Sequence, residues 1–167
     1  MVEAEAEGAD AVIFEIDTPG GALDAALVIR DAVLYSETRT IAFINPRAIS
    51  AGALISLATD HIVMVEGGTI GAATAVDMQG NKASEKVISY FRNEMKATAE
   101  KTGRSTKLAE AMVDEDVEVE RLAPKGKLLT LTTREAVEQK IAEFQVASIT
   151  EGDKLDEVLK LFELEES

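Results

Sequence analysis

The sequence lacks cysteine, and this absence removes several kinds of chemistry at once. No disulfide can form, no thiolate can bind a metal, and no cysteine can act as a nucleophile. Tryptophan is also missing, aromatic residues make up only 4% of the chain, and there is a single histidine. No apolar run approaches the roughly 18 residues of a membrane-spanning helix, and residues 1–7 lack the basic and apolar parts of a signal peptide. We therefore expect the chain as given to be soluble.

Basic residues are scarce relative to acidic ones. The chain has 17 lysines and arginines against 31 aspartates and glutamates, which gives a formal net charge of -14. This charge argues against nucleic acid as a partner. Apolar residues make up 46% of the chain, as in an ordinary globular protein, and its length suffices to bury a core. We expect a single domain over residues 1–167.

Short apolar segments alternate with amphipathic ones along the chain. Strands are predicted at residues 11–17, 40–44, 61–66, 127–132 and 144–149, with a further extended segment at 69–76. Helices are predicted at residues 23–34, 50–58, 83–102, 105–112, 133–142 and 154–161. This alternation predicts an α/β fold with a mostly parallel sheet. Residues 1–8 look like the second half of a helix, so we expect an N-terminally truncated piece of a longer protein.

A glycine turn follows the first predicted strand, at residues 18–21. Its backbone N–H groups, at the carboxyl end of a strand, can hold a phosphate or an oxyanion, although a plain turn explains the same residues. The G-x-G-x-x-G spacing and the P-loop lysine are both missing, so nucleotide binding is weakly supported. We expect no cofactor.

A serine, Ser50, stands at the start of the helix that follows the second predicted strand. Serine at such a position commonly caps the helix. The position also suits a nucleophile, because the helix terminus favours negative charge and the next N–H can donate to an oxyanion. Both interpretations remain open at this stage.

A serine nucleophile needs a base, and the chain offers three candidates. His61 begins the third strand, which predicts a position at the opposite end of the sheet from Ser50. Lys86 begins the long helix, where the positive helix terminus and partial burial would both favour a neutral amine that can accept a proton. Lys86 and Lys82 could equally be solvated surface lysines.

Four acidic residues alternate near the middle of the chain: Asp114, Asp116, Glu118 and Glu120. On a strand they would share one face and could bind calcium. The glycine and the spacing of an EF-hand are missing, so a solvated loop is the preferred interpretation. We predict no metal site.

Four short motifs occur in a fixed order and together carry a family resemblance. They are Ile16-Asp17-Thr18-Pro19-Gly20-Gly21, Ala48-Ile49-Ser50-Ala51-Gly52, Gly68-Thr69-Ile70-Gly71-Ala72 and Lys86-Val87-Ile88-Ser89-Tyr90-Phe91. As a set they resemble the serine protease domain of NfeD-type membrane proteins. That domain belongs to the Clp protease-like and signal-peptide-peptidase-A-like group, whose fold is related to that of crotonases. The likeness runs from about residue 8 to residue 162.

The resemblance implies a catalytic dyad. The serine of the family's S-A-G motif falls on Ser50, which would attack the scissile carbonyl. The family's lysine falls on Lys86, which would act as general base and then as general acid, whereas Lys82 lies four residues too early. A serine-lysine dyad also explains how a chain with one histidine can be a protease.

The resemblance also implies an oxyanion hole and a binding segment for an extended substrate. The backbone N–H groups of Gly21 and Ala51 would be the oxyanion donors. Thr69, Ile70 and Gly71 would pair with the substrate as with an added strand.

The implied activity is that of a serine endopeptidase that cleaves apolar segments of membrane-associated proteins, with a stomatin-like protein as partner. The family further implies a homodimer or larger homo-oligomer and, in the full-length protein, membrane association with an extracytoplasmic protease domain. The alternative is a non-catalytic scaffold domain of a membrane complex with a stomatin-like partner. A third possibility, crotonase-like acyl-thioester chemistry, would use the oxyanion donors without a nucleophile, and the pairing of a serine with a lysine argues against it.

Overall fold

The computed structural model describes residues 1–77, 79–147 and 154–164. The helices are α1 Val2–Glu7, α2 Leu23–Leu34, α3 Ala51–Leu57, α4 Glu85–Lys101, α5 Thr106–Val113, α6 Thr133–Glu138 and α7 Lys154–Leu161. The strands are β1 Ala11–Thr18, β2 Arg39–Ile49, β3 His61–Val65, β4 Thr69–Gly71, β5 Thr130–Thr132 and β6 Phe144–Val146. The predicted alternation of strands and helices is confirmed. Among the described residues, none of the helices combines the length and the hydropathy that crossing a bilayer requires.

The sheet is built around β2. On one edge, β2 pairs in parallel with β1. On the opposite edge it pairs in parallel with two strands in succession, with β3 at residues 41–44 and with β4 at residues 47–49. β6 continues the sheet in parallel beyond β3, and β5 pairs antiparallel with β4. The prediction of a mostly parallel sheet is therefore confirmed, and the carboxyl ends of β1 and β2 lie side by side.

The central strand is longer than the sequence indicates. The predicted strand at 40–44 stops before a turn at residues 45–47, whereas β2 continues to Ile49. Pro46 is tolerated because it lies where the ladder changes partners: pairing with β3 ends at Ile44 and pairing with β4 begins at Arg47. The pairing with β1 is also irregular at this point. A proline inside a strand is accommodated where its missing N–H is not needed.

The core lies on both faces of the sheet. Along β2, Ala42 and Ile44 face a large cluster that includes buried residues of α3, α4 and α5. Ile41 and Phe43 face a smaller cluster that includes Val158 of α7. This two-sided burial explains why residues 41–44 are a continuous apolar run without alternation.

Several element boundaries differ from the predictions. The extended segment predicted at 69–76 is a strand only at Thr69–Gly71, and the strand predicted at 127–132 is reduced to Thr130–Thr132. α6 ends four residues early, although its start is set as expected by Thr132, which forms a capping box with Glu135. Residues 148 and 149 of the last predicted strand lie outside the described residues.

Candidate active site

The turn after β1 is held by the side chain of Thr18. Its hydroxyl donates to the Gly20 carbonyl oxygen at 3.2 Å and accepts from the Gly20 N–H at 3.1 Å. Gly20 has a φ of 133°, which side-chain-bearing residues rarely adopt. These bonds fix the backbone just before Gly21, the first predicted oxyanion donor.

Ser50 lies in the tight turn between β2 and α3, in a conformation that is unusual for serine. Its φ is 57° and its ψ is -116°, outside the regions favoured by L-residues. The turn is held because the Ser50 N–H donates to the Gly71 carbonyl oxygen at 3.0 Å and the Ser50 carbonyl accepts from the Ala53 N–H at 3.0 Å. The side chain makes no capping bond to α3, so the helix-cap interpretation of Ser50 is wrong.

The glycine turn and the serine turn touch each other. A Cβ placed on Gly20 would lie 2.8 Å from Ser50 Cβ and 3.2 Å from Ser50 Oγ, so a side chain at this position would collide with the serine. Gly52 is needed for the same kind of reason, because a Cβ there would lie 2.5 Å from Thr18 Cγ2. The glycines of the two motifs therefore allow α3 to pack closely on the end of β1.

Two backbone N–H groups beside Ser50 are available as donors. Within residues 1–77, 79–147 and 154–164, neither the Gly21 N–H nor the Ala51 N–H makes a hydrogen bond. Both residues line the same cavity as Ser50. Unpaired N–H groups at such a position can stabilise a negatively charged oxygen.

The cavity at Ser50 is small, and most of the side chains in its wall are apolar. Its volume is about 140 Å³. Besides Gly21, Ser50 and Ala51, its walls are Ala22, Leu23, Ala26, Thr74, Ala75, Val76 and Phe91. A second hollow of about 350 Å³ lies on the side of β1 and shares Gly21, Ala22, Ala26 and Ala51 with the first. The two N–H donors thus lie between two hollows.

Lys86 is the second residue of α4, as predicted, but it is not partly buried. Its side chain is exposed, so the expectation of partial burial is wrong. In the part of the chain that the structure describes, Lys86 makes neither an ion pair nor a side-chain hydrogen bond, and none joins it to Ser50 Oγ. Its helix begins at Glu85, just after the hairpin in which Val76 pairs with Lys82. Ala75 and Val76 of this hairpin line the cavity.

Lys82 has a different environment. Its ammonium group contacts Glu115 at 2.8 Å. The hydrogen bond that it donates to Glu115 raises the pKa of Lys82 above its ordinary value, and the neighbouring carboxylates of residues 114–116 act in the same direction. A raised pKa favours the charged form, which cannot accept a proton. Lys82 is therefore the less suitable base.

His61 is far from Ser50. It begins β3 and pairs with Ile41 near the amino end of β2, whereas Ser50 follows the carboxyl end of β2. Its ring packs on Phe162 with the ring centroids 5.0 Å apart. The prediction that His61 lies at the opposite end of the sheet is confirmed.

The three residues of β4 have no free edge. Thr69, Ile70 and Gly71 pair with β2 on one side and with β5 on the other. An added substrate strand therefore cannot pair with them while the sheet is intact, which corrects the expectation for this segment. The chain leaves the sheet after Gly71, and the following residues reach the cavity wall at Thr74, Ala75 and Val76.

Asp114, the first of the alternating acidic residues, holds local structure. Asp114 pairs with Arg92 and accepts a hydrogen bond from the Asp116 N–H at 2.9 Å. Burial alone would raise the pKa of Asp114, but the bonds from Asp116 and Arg92 outweigh it and hold that pKa below its ordinary value. Within the described ranges, no group of three or more acidic or histidine side chains converges as a metal site would require.

Three features of this site are not indicated by the sequence: the role of Thr18 in the turn, the contact of Gly20 with Ser50, and Thr74. A threonine at a turn and a threonine among alanines are common, so neither has a distinctive sequence pattern. Their importance depends on which atoms the fold brings near Ser50.

The chain has sequence relatives among membrane proteins. A model of the NfeD1b N-terminal domain matches residues 1–167. The membrane protein NfeD1b of Bacillus subtilis is 44% identical over 139 residues, which are 83% of this chain and 32% of that protein. The membrane-bound protease PH1510 of Pyrococcus horikoshii is 31% identical over 156 residues, 89% of this chain and 33% of that protein. The chain thus spans about a third of the length of these relatives.

Solved structures of one relative share the fold. A serine-to-alanine mutant of the 1510-N membrane-bound stomatin-specific protease superposes with a TM-score of 0.77 at 29% identity, covering 95% of this chain and 72% of that one. A lysine-to-alanine mutant of the same protease, in complex with a substrate peptide, gives a TM-score of 0.77 at 29% identity and covers 95% and 68%. The organism of this protease is Pyrococcus horikoshii. The chain therefore belongs to the family of the NfeD1b N-terminal domain and has the Clp protease-like fold of an NfeD-type protease domain.

Proposed function

We propose that this chain is a serine endopeptidase in which Ser50 is the nucleophile and Lys86 is the base. The observation that carries the proposal is the conformation of Ser50. A serine held at a φ of 57° in a strand-to-helix turn costs about 1–3 kcal/mol. Strain of this kind is typical of a nucleophile exposed at the end of a sheet. The Gly21 and Ala51 N–H groups line the same cavity, where they could stabilise the oxyanion formed when Ser50 attacks a carbonyl.

In the first half of the reaction, Ser50 Oγ attacks the carbonyl carbon of the scissile bond while its proton passes to Lys86 Nζ. The carbonyl oxygen becomes an oxyanion, which the N–H groups of Gly21 and Ala51 stabilise. The C–N bond then breaks as the Lys86 ammonium gives its proton to the leaving amine. The products of this half are a free amine and an ester on Ser50.

In the second half, water attacks the ester carbon and gives a proton to Lys86 Nζ. The same two N–H groups stabilise the second oxyanion. Ser50 Oγ leaves and takes the proton back from Lys86, which releases the carboxylic acid and restores the starting state.

The choice of Lys86 is supported by its position and by the relatives. A lysine side chain is long and flexible, so its amine can move some distance from its backbone. Lys86 makes no ion pair within the described residues. It lies at the start of α4, the helix that contributes Phe91 to the cavity. Lys82 is held by Glu115. The solved structures of the stomatin-specific protease include replacements of one serine and of one lysine, which suits a serine-lysine pair.

We place the substrate along residues 74–76 as an extended peptide. Residues 75–83 form a hairpin in which Val76 lies opposite Lys82. The hydrogen bonds on either side of Val76 run from the Ala83 N–H to the Ala75 carbonyl oxygen and from the Asp77 N–H to the Asn81 carbonyl oxygen. The N–H and C=O of Val76 itself therefore point away from the hairpin, where a peptide could pair with them. A strand edge of this kind can pair with a peptide, while the apolar cavity takes a side chain. By analogy with the stomatin-specific relative, the substrate is an apolar segment of a stomatin-like membrane protein. The full-length protein would work at a membrane as a homodimer or larger assembly.

Covalent labelling of the serine tests this proposal directly. The purified chain is treated with an alkyl fluorophosphonate, and the modified residue is identified by mass spectrometry. We expect Ser50 to be the labelled residue, because a proton acceptor beside a serine makes its oxygen nucleophilic. Ser84→Ala, at the exposed start of α4, is the control and should label like the unmodified chain. Absence of labelling at Ser50, together with uncleaved peptide, would favour the non-catalytic scaffold.

Replacing Gly20 by alanine tests whether the glycine turn positions the nucleophile. The new methyl group would collide with Ser50, so we expect peptide cleavage to fall by about 10²-fold or more. Gly67→Ala is the control, because Gly67 also has a positive φ of 79° but a Cβ placed on it would have no atom within 4 Å. Gly67→Ala should lose about 1–2 kcal/mol of stability from its left-handed backbone conformation. Gly20→Ala should lose at least as much, because the collision with Ser50 adds to the cost of its backbone conformation. Equal activities of the two variants would contradict the role given to Gly20.

A further inference from the structure

The cavity at Ser50 contains one polar side chain that the proposed mechanism does not use. Thr74 lines this cavity together with Ser50. Its hydroxyl oxygen is buried and has no hydrogen-bond partner among the described residues. Most of the remaining side chains of the wall are apolar, so they cannot satisfy it. A buried hydroxyl without a partner is uncommon in folded proteins and calls for an explanation.

The backbone around Thr74 is fixed on both sides. The Ala73 N–H donates to the Met112 carbonyl oxygen at 2.7 Å, and the Ala75 carbonyl oxygen accepts from the Ala83 N–H at 2.9 Å. Thr74 is therefore held in the wall of the cavity that contains Ser50, while its hydroxyl makes no hydrogen bond with the residues that the structure describes. Rotation about its Cα–Cβ bond consequently breaks no hydrogen bond.

We propose that the Thr74 hydroxyl hydrogen-bonds a peptide bound at Ser50, which makes Thr74 a substrate-binding residue. This inference rests on the proposed function, because it places an extended peptide along residues 74–76. Such a peptide has a backbone N–H and a carbonyl group at each residue, and it would bring these groups to a cavity whose wall side chains, apart from Ser50 and Thr74, are apolar. When the Thr74 side chain rotates so that its hydroxyl faces the cavity, that hydroxyl offers both a donor and an acceptor to the peptide.

Peptide binding tests the proposal separately from cleavage. The Ser50→Ala variant serves as a non-cleaving background. The ligand is a fluorescein-labelled peptide of leucine, valine and alanine with lysines at both ends, and binding is measured by fluorescence anisotropy. Adding Thr74→Val should raise the Kd about fivefold to tenfold, the factor expected for one hydrogen bond to a neutral group. Adding Thr74→Ser, which keeps the hydroxyl, should leave the Kd within about twofold. Thr130→Val, at an exposed position of β5, is the matched control.

The melting temperature separates binding from a structural role. Because the Thr74 hydroxyl has no partner in the described structure, Thr74→Val should melt at the same or a higher temperature than the parent. An unchanged Kd in Thr74→Val would overturn the proposal. A raised Kd accompanied by a lower melting temperature of Thr74→Val would also overturn it, because lost stability would then explain the weaker binding. If the unmodified chain fails to cleave the peptide while the Kd still depends on Thr74, the proposed activity fails and the binding role stands.

Discussion

Replacing either Ser50 or Lys86 by alanine should lower peptide cleavage by about 10⁴-fold. Ser50→Ala removes the atom that forms the ester, and Lys86→Ala removes the group that accepts and returns the proton. Because the two groups act in the same step, the double variant should be no slower than the single variants. The measurement is the initial rate of cleavage of the labelled leucine-rich peptide described above.

The controls for this prediction come from nearby residues of the same type. Ser84→Ala and Lys82→Ala should each keep the cleavage rate within about twofold, because Ser84 makes no capping bond and Lys82 pairs with Glu115. All variants should keep the circular dichroism spectrum of the parent. A large loss in Lys82→Ala with little loss in Lys86→Ala would move the base to Lys82. Equal cleavage by the unmodified chain and both dyad variants would rule out the dyad.

Replacing Arg104 by methionine should produce the largest loss of stability. Arg104 follows Gly103 in the connection between α4 and α5, and its side chain is only 3% exposed. Its guanidinium group donates to four backbone carbonyl oxygens, at distances of 2.8–3.3 Å. These acceptors belong to Leu57, Thr59, Asp60 and Ile141. A single side chain therefore ties the end of α3 and the start of β3 to the segment that follows α6.

The expected loss follows from what the substitution leaves behind. Burial lowers the pKa of Arg104, whereas the charges of Glu143 and Asp60 oppose this effect. Arginine stays charged in proteins, so the cost of burying Arg104 is offset by these hydrogen bonds together with the charges of Glu143 and Asp60. Methionine would leave several carbonyl groups buried and unpaired, so we expect the free energy of unfolding to fall by about 3–5 kcal/mol. For a domain of this size that loss lowers the melting temperature by about 10 °C or more.

Arg134→Met is the control for this measurement. Arg134 is 86% exposed and pairs with Glu138 one turn along α6. Exposed pairs of this kind contribute little, so we expect a change within about 0.5 kcal/mol. Arg104→Lys should also lose most of the stability, since a single ammonium group cannot reach acceptors on two separate segments. If Arg104→Met unfolds like the Arg134 variant, the bonds of Arg104 contribute nothing measurable.

Much of the architecture was predictable because it depends on local patterns. The apolar run at residues 11–17 and the turn residues Pro19 and Gly20 predicted a strand and its end. The amphipathic spacing at residues 83–102 predicted α4 closely. The errors occurred where distant segments decide the outcome. β2 passes through Pro46 because β3 and β4 divide its edge between them, and no local pattern indicates such a change of partner.

The sequence by itself determined the fold class, the order of the elements and the residue types that can supply a nucleophile, a base and N–H donors. These features depend on the local pattern of side chains along the chain. Only the tertiary structure decided that Gly20 touches Ser50 and that β4 has no free edge. It also decided that Thr74 lines the Ser50 cavity with a hydroxyl that has no partner among the described residues. Each of these depends on contacts between residues distant in sequence, because burial and hydrogen bonding are set by packing.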